Sequence, residues 1–356
     1  MRIALDAMGG DHAPGAVVEG ALLRARGRAQ GERLVLFGHE GSIRGILGEA
    51  EGASRLEIVH APEAIGMEEA GPRAIRRKKE ASLAVAMRAL AEEEVDAVVS
   101  AGNSAAVVAT ARHFVGLARG LRRPCLMVFI PTPRGRVLVA DAGAYLEADA
   151  LQLAQWAVLA HHFLKARPGL ERPRVGLLNI GREAGKGPPD LRRAHDLLSR
   201  SSLRFAGNLE PRDLLSGRAD AVICNGFAGN VLLKLFEALC ESLFSLWQER
   251  LQRHAFGESR EFVRDFEALR RTHHYGSVGG VPLVGVRGTV VVAHGRSDAR
   301  AVCSAIDVAA DLASENVFQR IAEALSADPL LARLKTHDAQ GMLGRWKSKW
   351  GLAGKK

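Results

Sequence analysis

Short runs of β-branched and aliphatic residues alternate with longer stretches of helical periodicity along almost the whole chain. Arg2–Asp6 is the first such run, and residues 17–28 then place apolar side chains at the spacing of a helix. The pattern predicts further strands at 34–37, 56–60, 95–100, 126–131, 137–141, 175–180, 219–224 and 289–294, and helices at 75–93, 104–117, 147–165, 191–199, 231–252 and 298–325. This alternation favours a mostly parallel sheet with helices on both faces, a three-layer, Rossmann-like α/β fold.

Neither a low-complexity linker nor a break in the pattern divides the chain of 356 residues. We therefore predict a single α/β catalytic domain over 1–330, with room for two closely packed lobes and a helical pair at about 228–272. Residues 331–356 form a basic tail. The first aspartate comes too early for a signal peptide, and no apolar run has the length of a membrane span, so we expect a cytoplasmic protein.

Several predicted strands end in a polar residue and glycine just before a helix, at 5–10, 99–104, 139–143, 178–181 and 223–230. Because parallel strands end at one sheet edge, these loops are expected to meet there. Glycine lets the backbone approach a ligand, and helix starts offer free N–H groups to anions. The recurrence predicts a site for a phosphate-bearing or otherwise anionic substrate, although turn geometry alone also favours glycine and asparagine.

Predicted substrate contacts follow from these loops. The residues are Asp6, Gly9, Gly10, His12, Gly102, Ser104, Asp141, Gly143, Asn179, Gly181, Gly226, Gly229 and His294. Lys186 lies in a glycine-rich stretch where an ammonium suits phosphate or a developing oxyanion, and a plain surface lysine is the equal alternative. With Asn103 and Asn230, it completes the predicted catalytic set.

The net charge of +9 favours acidic partners. Four consecutive basic residues, Arg76, Arg77, Lys78 and Lys79, are predicted at the start of a helix, where cations oppose the helix dipole. An anionic substrate or an acidic partner would explain them, and a solvated basic turn is the alternative. Nucleic acid is not predicted, since no recognition motif is present and aromatic residues do not interleave with basic ones.

Other motifs leave alternatives open. Ser104 follows a strand in the manner of a degenerate nucleophile elbow, but a helix-capping role is favoured. Metal-ligand spacing and a GxGxxG fingerprint are both missing, so no metal or cofactor is predicted. Apolar positions at 232, 235, 236, 239, 243 and 246 form a broad helical face, typical of core or a dimer interface, with membrane contact as the sharper alternative.

Taken together, the loops resemble the PlsX-type phosphate acyltransferase family. The matching stretches are 3–14, 74–79, 100–103, 174–181, 186–187, 226–231, 293–295 and 297–298. The resemblance implies a fold similar to isopropylmalate dehydrogenase and phosphotransacetylase. It also implies transfer of a long-chain acyl group from acyl carrier protein to inorganic phosphate for phospholipid synthesis. A homodimer, transient contact with the membrane surface and a downstream glycerol-phosphate acyltransferase as partner are implied as well. The chain has Asn225 and Tyr145 where the family usually has Asp and Asn.

The expected chemistry is direct attack. Phosphate dianion is already a nucleophile, so alignment and oxyanion stabilisation are the main tasks, and Lys186, Asn103 and Asn230 with loop amides are suited to them. Three rival functions remain open: a serine acyl-hydrolase using Ser104, a dehydrogenase on the related fold, and a membrane-associated scaffold for lipid synthesis.

Overall fold

The computed structural model describes residues 1–27, 31–69, 71–167, 169–253, 260–273 and 279–334. The strands are β1 Arg2–Asp6, β2 Arg33–Gly38, β3 Leu56–His60, β4 Ala97–Ser100, β5 Cys125–Thr132, β6 Gly135–Ala140, β7 Arg174–Leu178, β8 Arg204–Leu209, β9 Ala221–Ile223, β10 Val281–Val284 and β11 Thr289–Val292. The α-helices are α1 Gly15–Gly27, α2 Glu40–Leu47, α3 Gly71–Arg77, α4 Ser82–Ala91, α5 Ser104–Phe114, α6 Ala150–Lys165, α7 Pro189–Ser199, α8 Gly226–Arg253, α9 Arg260–His273, α10 Ala299–Ser314 and α11 Val317–Ala327.

In the described part of the chain, the strands form one 11-stranded sheet in the order β3-β2-β1-β4-β11-β10-β5-β6-β9-β7-β8. Both faces carry a buried apolar layer, because side chains alternate along each strand. In β1, Ile3 and Leu5 pack into one layer and Ala4 into the other. The largest buried side chain, Trp156, comes from α6 on the first face. The predicted mostly parallel α/β sheet between helices is therefore confirmed.

The sheet has two parallel halves that run in opposite directions. Strands β3, β2, β1, β4 and β11 are mutually parallel, and so are β6, β9, β7 and β8. Between them, β10 pairs antiparallel with β11 and β5, and β5 pairs antiparallel with β6. The prediction that all five glycine loops share one edge is therefore wrong. The loops after β1 and β4 lie at one edge, and those after β6, β7 and β9 lie at the other.

Two long predicted helices are each split. Residues 75–93 form α3 and α4, with a break where the Ser82 amide donates to the Glu63 carbonyl (2.9 Å) and its hydroxyl to Asp6 (2.6 Å). These tertiary bonds draw the backbone out of the helix. The stretch 298–325 breaks at Asn316, whose φ of 51° is left-handed. Sequence patterns also missed α2, β8 and β10. Among the described residues, no helix has both the length and the apolar composition needed to cross a bilayer.

Candidate active site

A cavity of about 340 Å³ lies between one face of β5 and helix α8. One wall is apolar, because the two-residue period of β5 turns Leu126, Val128 and Ile130 toward the cavity. Leu233 and Phe236 of α8 contribute to the lining as well. Such a wall suits an apolar chain, and hydrocarbon groups gain about 0.8 kcal/mol for each methylene removed from water.

The mouth of this cavity is polar. Lys234 Nζ lies 2.8 Å from His294 Nε2 and 2.8 Å from Glu237 Oε2. The Arg296 amide lies 3.1 Å from His294 Nδ1. Burial, followed by the positive charge of Lys234, lowers the pKa of His294 below its ordinary value of 6.5. The imidazole is therefore held neutral beside a cation at neutral pH, an arrangement suited to an anionic ligand and to proton transfer.

Asn230 and Ser104 lie in the same lining. Asn230 is the fifth residue of α8, and a Cβ on Gly143 would lie 3.4 Å from its side chain. Ser104 is the first residue of α5, and the N-cap is its neighbour Asn103, whose Oδ1 accepts from the Ala106 amide at 3.1 Å. In the described part of the chain, the Ser104 hydroxyl makes no hydrogen bond to a histidine. The nucleophile–base pair that a serine hydrolase needs is not formed there.

The side chain of Asn103 is engaged with the protein. Besides its capping bond, Nδ2 donates to the Met67 carbonyl at 2.6 Å and to the Glu69 carbonyl at 3.2 Å. These bonds tie the segment before α3 to the start of α5. A direct catalytic role for Asn103 would require exchange of these bonds, so its present geometry favours positioning the loop.

Two buried aspartates organise the loops rather than face the cavity. Asp6 accepts from the hydroxyls of Ser82 (2.6 Å) and Ser100 (2.7 Å), and burial raises its pKa. Asp141 accepts from four backbone amides, those of residues 126, 143, 144 and 145, at 2.8–3.3 Å. Burial raises its pKa to about 6, and these amide bonds oppose the rise. The two carboxylates fix the loops that end β1 and β6.

The stretch around Gly226 and Gly229 is helical, which corrects its prediction as a loop. Asn225 caps the helix, accepting from the Ala228 amide at 2.9 Å. A Cβ on Gly229 would lie 1.9 Å from the Asp141 carbonyl oxygen, and one on Gly226 would lie 2.5 Å from the Tyr145 carbonyl oxygen. These glycines therefore allow α8 to begin against the 141–145 loop, and they do not serve turn flexibility. Asparagine and aspartate both supply the capping oxygen, so the departure at Asn225 preserves this cap.

Lys186 lies outside the lining of this cavity. It is exposed in the loop between β7 and α7, where Asn179 Nδ2 donates to its carbonyl at 3.0 Å and Gly181 packs against its side-chain stem. Gly187, with a φ of 85°, closes the loop over Asn179. Since β9 lies between β6 and β7, this loop is at the same sheet edge as Gly143 and the start of α8.

The first-edge loop contributes a different residue from the one predicted. Asp11 lines the cavity, while His12 is exposed outside its lining. Gly9 and Gly10 allow close packing: a Cβ on Gly9 would lie 2.8 Å from the Gly102 amide nitrogen, and Gly10 has a φ of 113°. Gly102 and His294 are in the lining, as expected for cavity residues.

The basic cluster does not begin a long helix. Arg76 and Arg77 occupy the last turn of α3, where the helix dipole favours cations, which reverses the sequence argument. Lys78 donates to the Ala64 carbonyl at 2.7 Å and pairs with Glu69. Arg76, Arg77 and Lys79 are exposed. The described residues contain no group of three or more His, Cys, Asp or Glu placed to hold a metal ion.

Solved structures with this fold include acyl-transfer enzymes. The EutD phosphotransacetylase from Staphylococcus aureus matches with a TM-score of 0.56 and 14% identity, covering 90% of this chain and 94% of that one. A 4-hydroxythreonine-4-phosphate dehydrogenase from Klebsiella pneumoniae matches with a TM-score of 0.53 and 14% identity, covering 88% and 99%. The chain thus has the α/β fold shared by phosphotransacetylases and this class of dehydrogenase.

Sequence relatives narrow the assignment. A family model described as "Fatty acid synthesis protein" matches residues 1–320. A phosphate acyltransferase from Syntrophobacter fumaroxidans is 52% identical over 357 residues, 99% of each chain. Another, from Desulforamulus reducens, is 38% identical over 330 residues, 92% of this chain and 98% of that one. The chain belongs to the phosphate acyltransferase family, and it is an enzyme that transfers an acyl group to phosphate.

The sequence did not predict Lys234 or Glu237 as site residues. The signal was present, because Asn230, Lys234 and Glu237 recur at three- and four-residue spacing and so share one face of an otherwise apolar helix.

Proposed function

We propose that this chain transfers a long-chain acyl group from acyl carrier protein to inorganic phosphate, and that the acyl phosphate formed supplies phospholipid synthesis. The observation that carries the proposal is the composition of the cavity. It joins an apolar wall from β5 and α8 to a mouth holding Lys234, His294, Asn230 and Ser104. An acyl chain fits the first part and phosphate the second.

In the proposed reaction, Lys234 and the Asn230 amide hold phosphate dianion at the mouth, beside the thioester carbonyl of a chain lying along β5. A phosphate oxygen attacks the carbonyl carbon and forms the new C–O bond, and the tetrahedral oxyanion is stabilised by nearby N–H donors. Collapse breaks the C–S bond, and the thiolate leaves with the carrier. Neutral His294 is placed to accept the proton of the phosphate. Phosphate dianion is already a nucleophile, so the attack needs no strong base.

The predicted catalytic role of Lys186 stays within this proposal. Its loop lies at the sheet edge shared with Gly143, and Asn230 of the cavity lining lies close to Gly143, so Asn230 connects the cavity to that edge. Residues 182–186 of this loop are exposed, and their closure over a bound substrate would bring the ammonium to the reacting groups. Asn103 supports the mouth by fixing the start of α5.

An acidic carrier protein would meet exposed cations on the surface. Arg76, Arg77 and Lys79 are available for that contact, whereas Lys78 is paired with Glu69. Such rim charges act mainly on the association rate, which should then fall with added salt.

Helix α8 supports a homodimer. Its outer face exposes a stripe of apolar side chains at helical spacing, namely Phe227, Val231, Leu235, Leu239, Leu243 and Leu246. A continuous apolar stripe of this kind marks an interaction surface, and a second copy of α8 would cover it. Transient contact with a membrane surface, and with a downstream glycerol-phosphate acyltransferase, is proposed as an additional use of the protein's surface.

Product analysis tests the proposal. Purified protein is incubated with a long-chain acyl-carrier thioester, with and without phosphate, and products are followed by ³¹P NMR and mass spectrometry. We expect acyl phosphate and free carrier only when phosphate is present. Free fatty acid formed without phosphate and lost in Ser104→Ala would establish the serine hydrolase instead. A catalytically dead Lys234→Met protein that still rescues growth would favour the scaffold.

A further inference from the structure

A second cavity, of about 500 Å³, lies on the opposite face of β5. Its apolar lining includes Met127 of β5, Pro282 of β10, and Val308 and Leu312 of α10. Two arginines stand at this lining, Arg136 at the start of β6 and Arg167 just after α6. We call this cavity the arginine groove.

The two guanidinium groups share one aromatic ring. The Arg136 guanidinium carbon is 4.4 Å from the centroid of Phe129, and that of Arg167 is 5.5 Å from it. Arg167 is also 5.9 Å from the centroid of Phe163. Stacking on aromatic faces holds the planar groups in place and leaves their N–H edges free to bind a ligand.

These two cations make no side-chain hydrogen bond or ion pair within the described ranges of the chain. Arg167 is half-buried, and burial together with the charge of Arg136 lowers its pKa. Asp311 and Glu315 attract it from a distance, and only Asp311 is in the lining. The lining therefore holds two cations and one carboxylate, and this excess of positive charge favours an anionic ligand.

We propose that the arginine groove binds a single-chain amphiphile with a phosphate head. The head lies against the paired guanidiniums, whose N–H forks match phosphate oxygens, and the tail lies on the apolar floor. The groove is separate from the active-site cavity but shares Phe129, Pro131 and Gly280 with it. This site is additional to the proposed acyl transfer and does not depend on it, because the probe below is not a substrate.

Calorimetric titration with decyl phosphate, kept below its micelle-forming concentration, tests the site. The full-length chain carries Lys234→Met, which removes the cation at the active-site mouth, so that the phosphate head of the probe is not held there. We expect one bound equivalent, weakened about tenfold or more by Arg167→Gln or by Arg136→Gln, since each removes charge-assisted hydrogen bonds. Arg172→Gln is the charge-matched control, because Arg172 is exposed and outside both cavities. Circular dichroism checks that each variant is folded. Because Arg136 is exposed, Arg136→Gln should leave the fold intact.

Binding that is unchanged in both arginine variants would overturn the proposal. Equal affinity for inorganic phosphate and decyl phosphate would show that the apolar floor adds nothing to binding, and would contradict an amphiphile as the ligand. Sedimentation with phosphatidylcholine vesicles containing phosphatidic acid separates two sources of the same chemistry. Co-sedimentation that both arginine variants lose would identify the ligand as a bilayer lipid. Binding of decyl phosphate without co-sedimentation would identify it as a dissolved amphiphile.

Discussion

Lys234 of α8 and His294 after β11 meet across the mouth of the active-site cavity, with Nζ 2.8 Å from Nε2. The contact joins two distant parts of the chain, and it places a neutral imidazole next to a cation. Glu237 on the same helix lies 2.8 Å from the same ammonium. The charge at the cavity mouth therefore depends on Lys234 and on the protonation state of His294.

Lys234→Met should raise the pKa of His294. Burial is the first cause of its depression and remains, but the second cause, the positive charge, is removed. Titration of the His294 Cε1 proton by NMR measures the shift, and Lys165→Met, on the exposed surface of α6, is the charge-matched control. An unchanged pKa would show that the two side chains do not interact in solution.

The same depression has a consequence for stability. Burial holds the folded-state pKa of His294 below its unfolded value of 6.5. The folded state therefore takes up fewer protons than the unfolded state, and the free energy of unfolding that His294 contributes above pH 6.5 is lost as the pH falls below 6.5. His294→Gln should therefore flatten the decline of unfolding free energy as the pH falls below 6.5. Glu237, Arg296 and Asp11 face the same imidazole and remain in the variant. Urea denaturation at a series of pH values measures the slope, and parallel slopes would contradict the assignment.

Gly229→Ala should destabilise the fold although alanine favours helices. The added Cβ would lie 1.9 Å from the Asp141 carbonyl, so α8 must move away from the 141–145 loop. We expect a loss of about 2 kcal/mol or more by chemical denaturation. Gly45→Ala is the matched helical control: its Cβ would meet no atom within 4 Å, and it should gain about 0.5–1 kcal/mol. Equal effects at both positions would refute the close-approach explanation.

Leu233→Trp should shift activity toward shorter acyl chains. The larger ring fills part of the apolar lining, and each methylene that loses its contacts costs about 0.8 kcal/mol, so two cost roughly tenfold in kcat/KM. The ratio of kcat/KM for C16 and C8 thioesters is the measurement. Leu23→Trp on the surface of α1 is the control. A ratio unchanged from the parent would place the acyl chain elsewhere.

The double variant Leu235→Glu and Leu239→Glu should convert the proposed dimer to monomers. Both side chains are more than half exposed in the single chain, at 59% and 52%, and carboxylates facing one another across a symmetric interface repel. Sedimentation velocity over a range of concentrations reports the state. Leu23→Glu should leave it unchanged. A parent protein that sediments as a monomer would exclude this interface.

Local sequence patterns were sufficient for most strands and helices. Residues 56–60, for example, match β3 at both ends. The direction of the second half-sheet was not predictable in this way. It depends on β10, a four-residue strand containing Pro282 that pairs with β11 and β5, and such long-range pairing leaves no periodic signal.

Sequence patterns also predicted only part of the active-site cavity. Gly102, Ser104, Asn230 and His294 line the cavity, and each lies close to a strand end or a helix start that the sequence pattern located. The position of Lys234 and Glu237 in the cavity depends on which face α8 turns inward. The structural role of Asp6 and Asp141 depends on which amides and hydroxyls surround them. Those are properties of packing, and residue type alone does not reveal them.

Helix α8 has 28 residues, about 42 Å of continuous helix, and its opposite sides have different surroundings. Asn230, Lys234 and Glu237 face the cavity, while Leu235 and Leu239 face outward. In the proposed dimer, a partner on the outer side of α8 would contact the same helix that carries Lys234 to His294. Dimerisation and the active-site mouth would thus share one structural element.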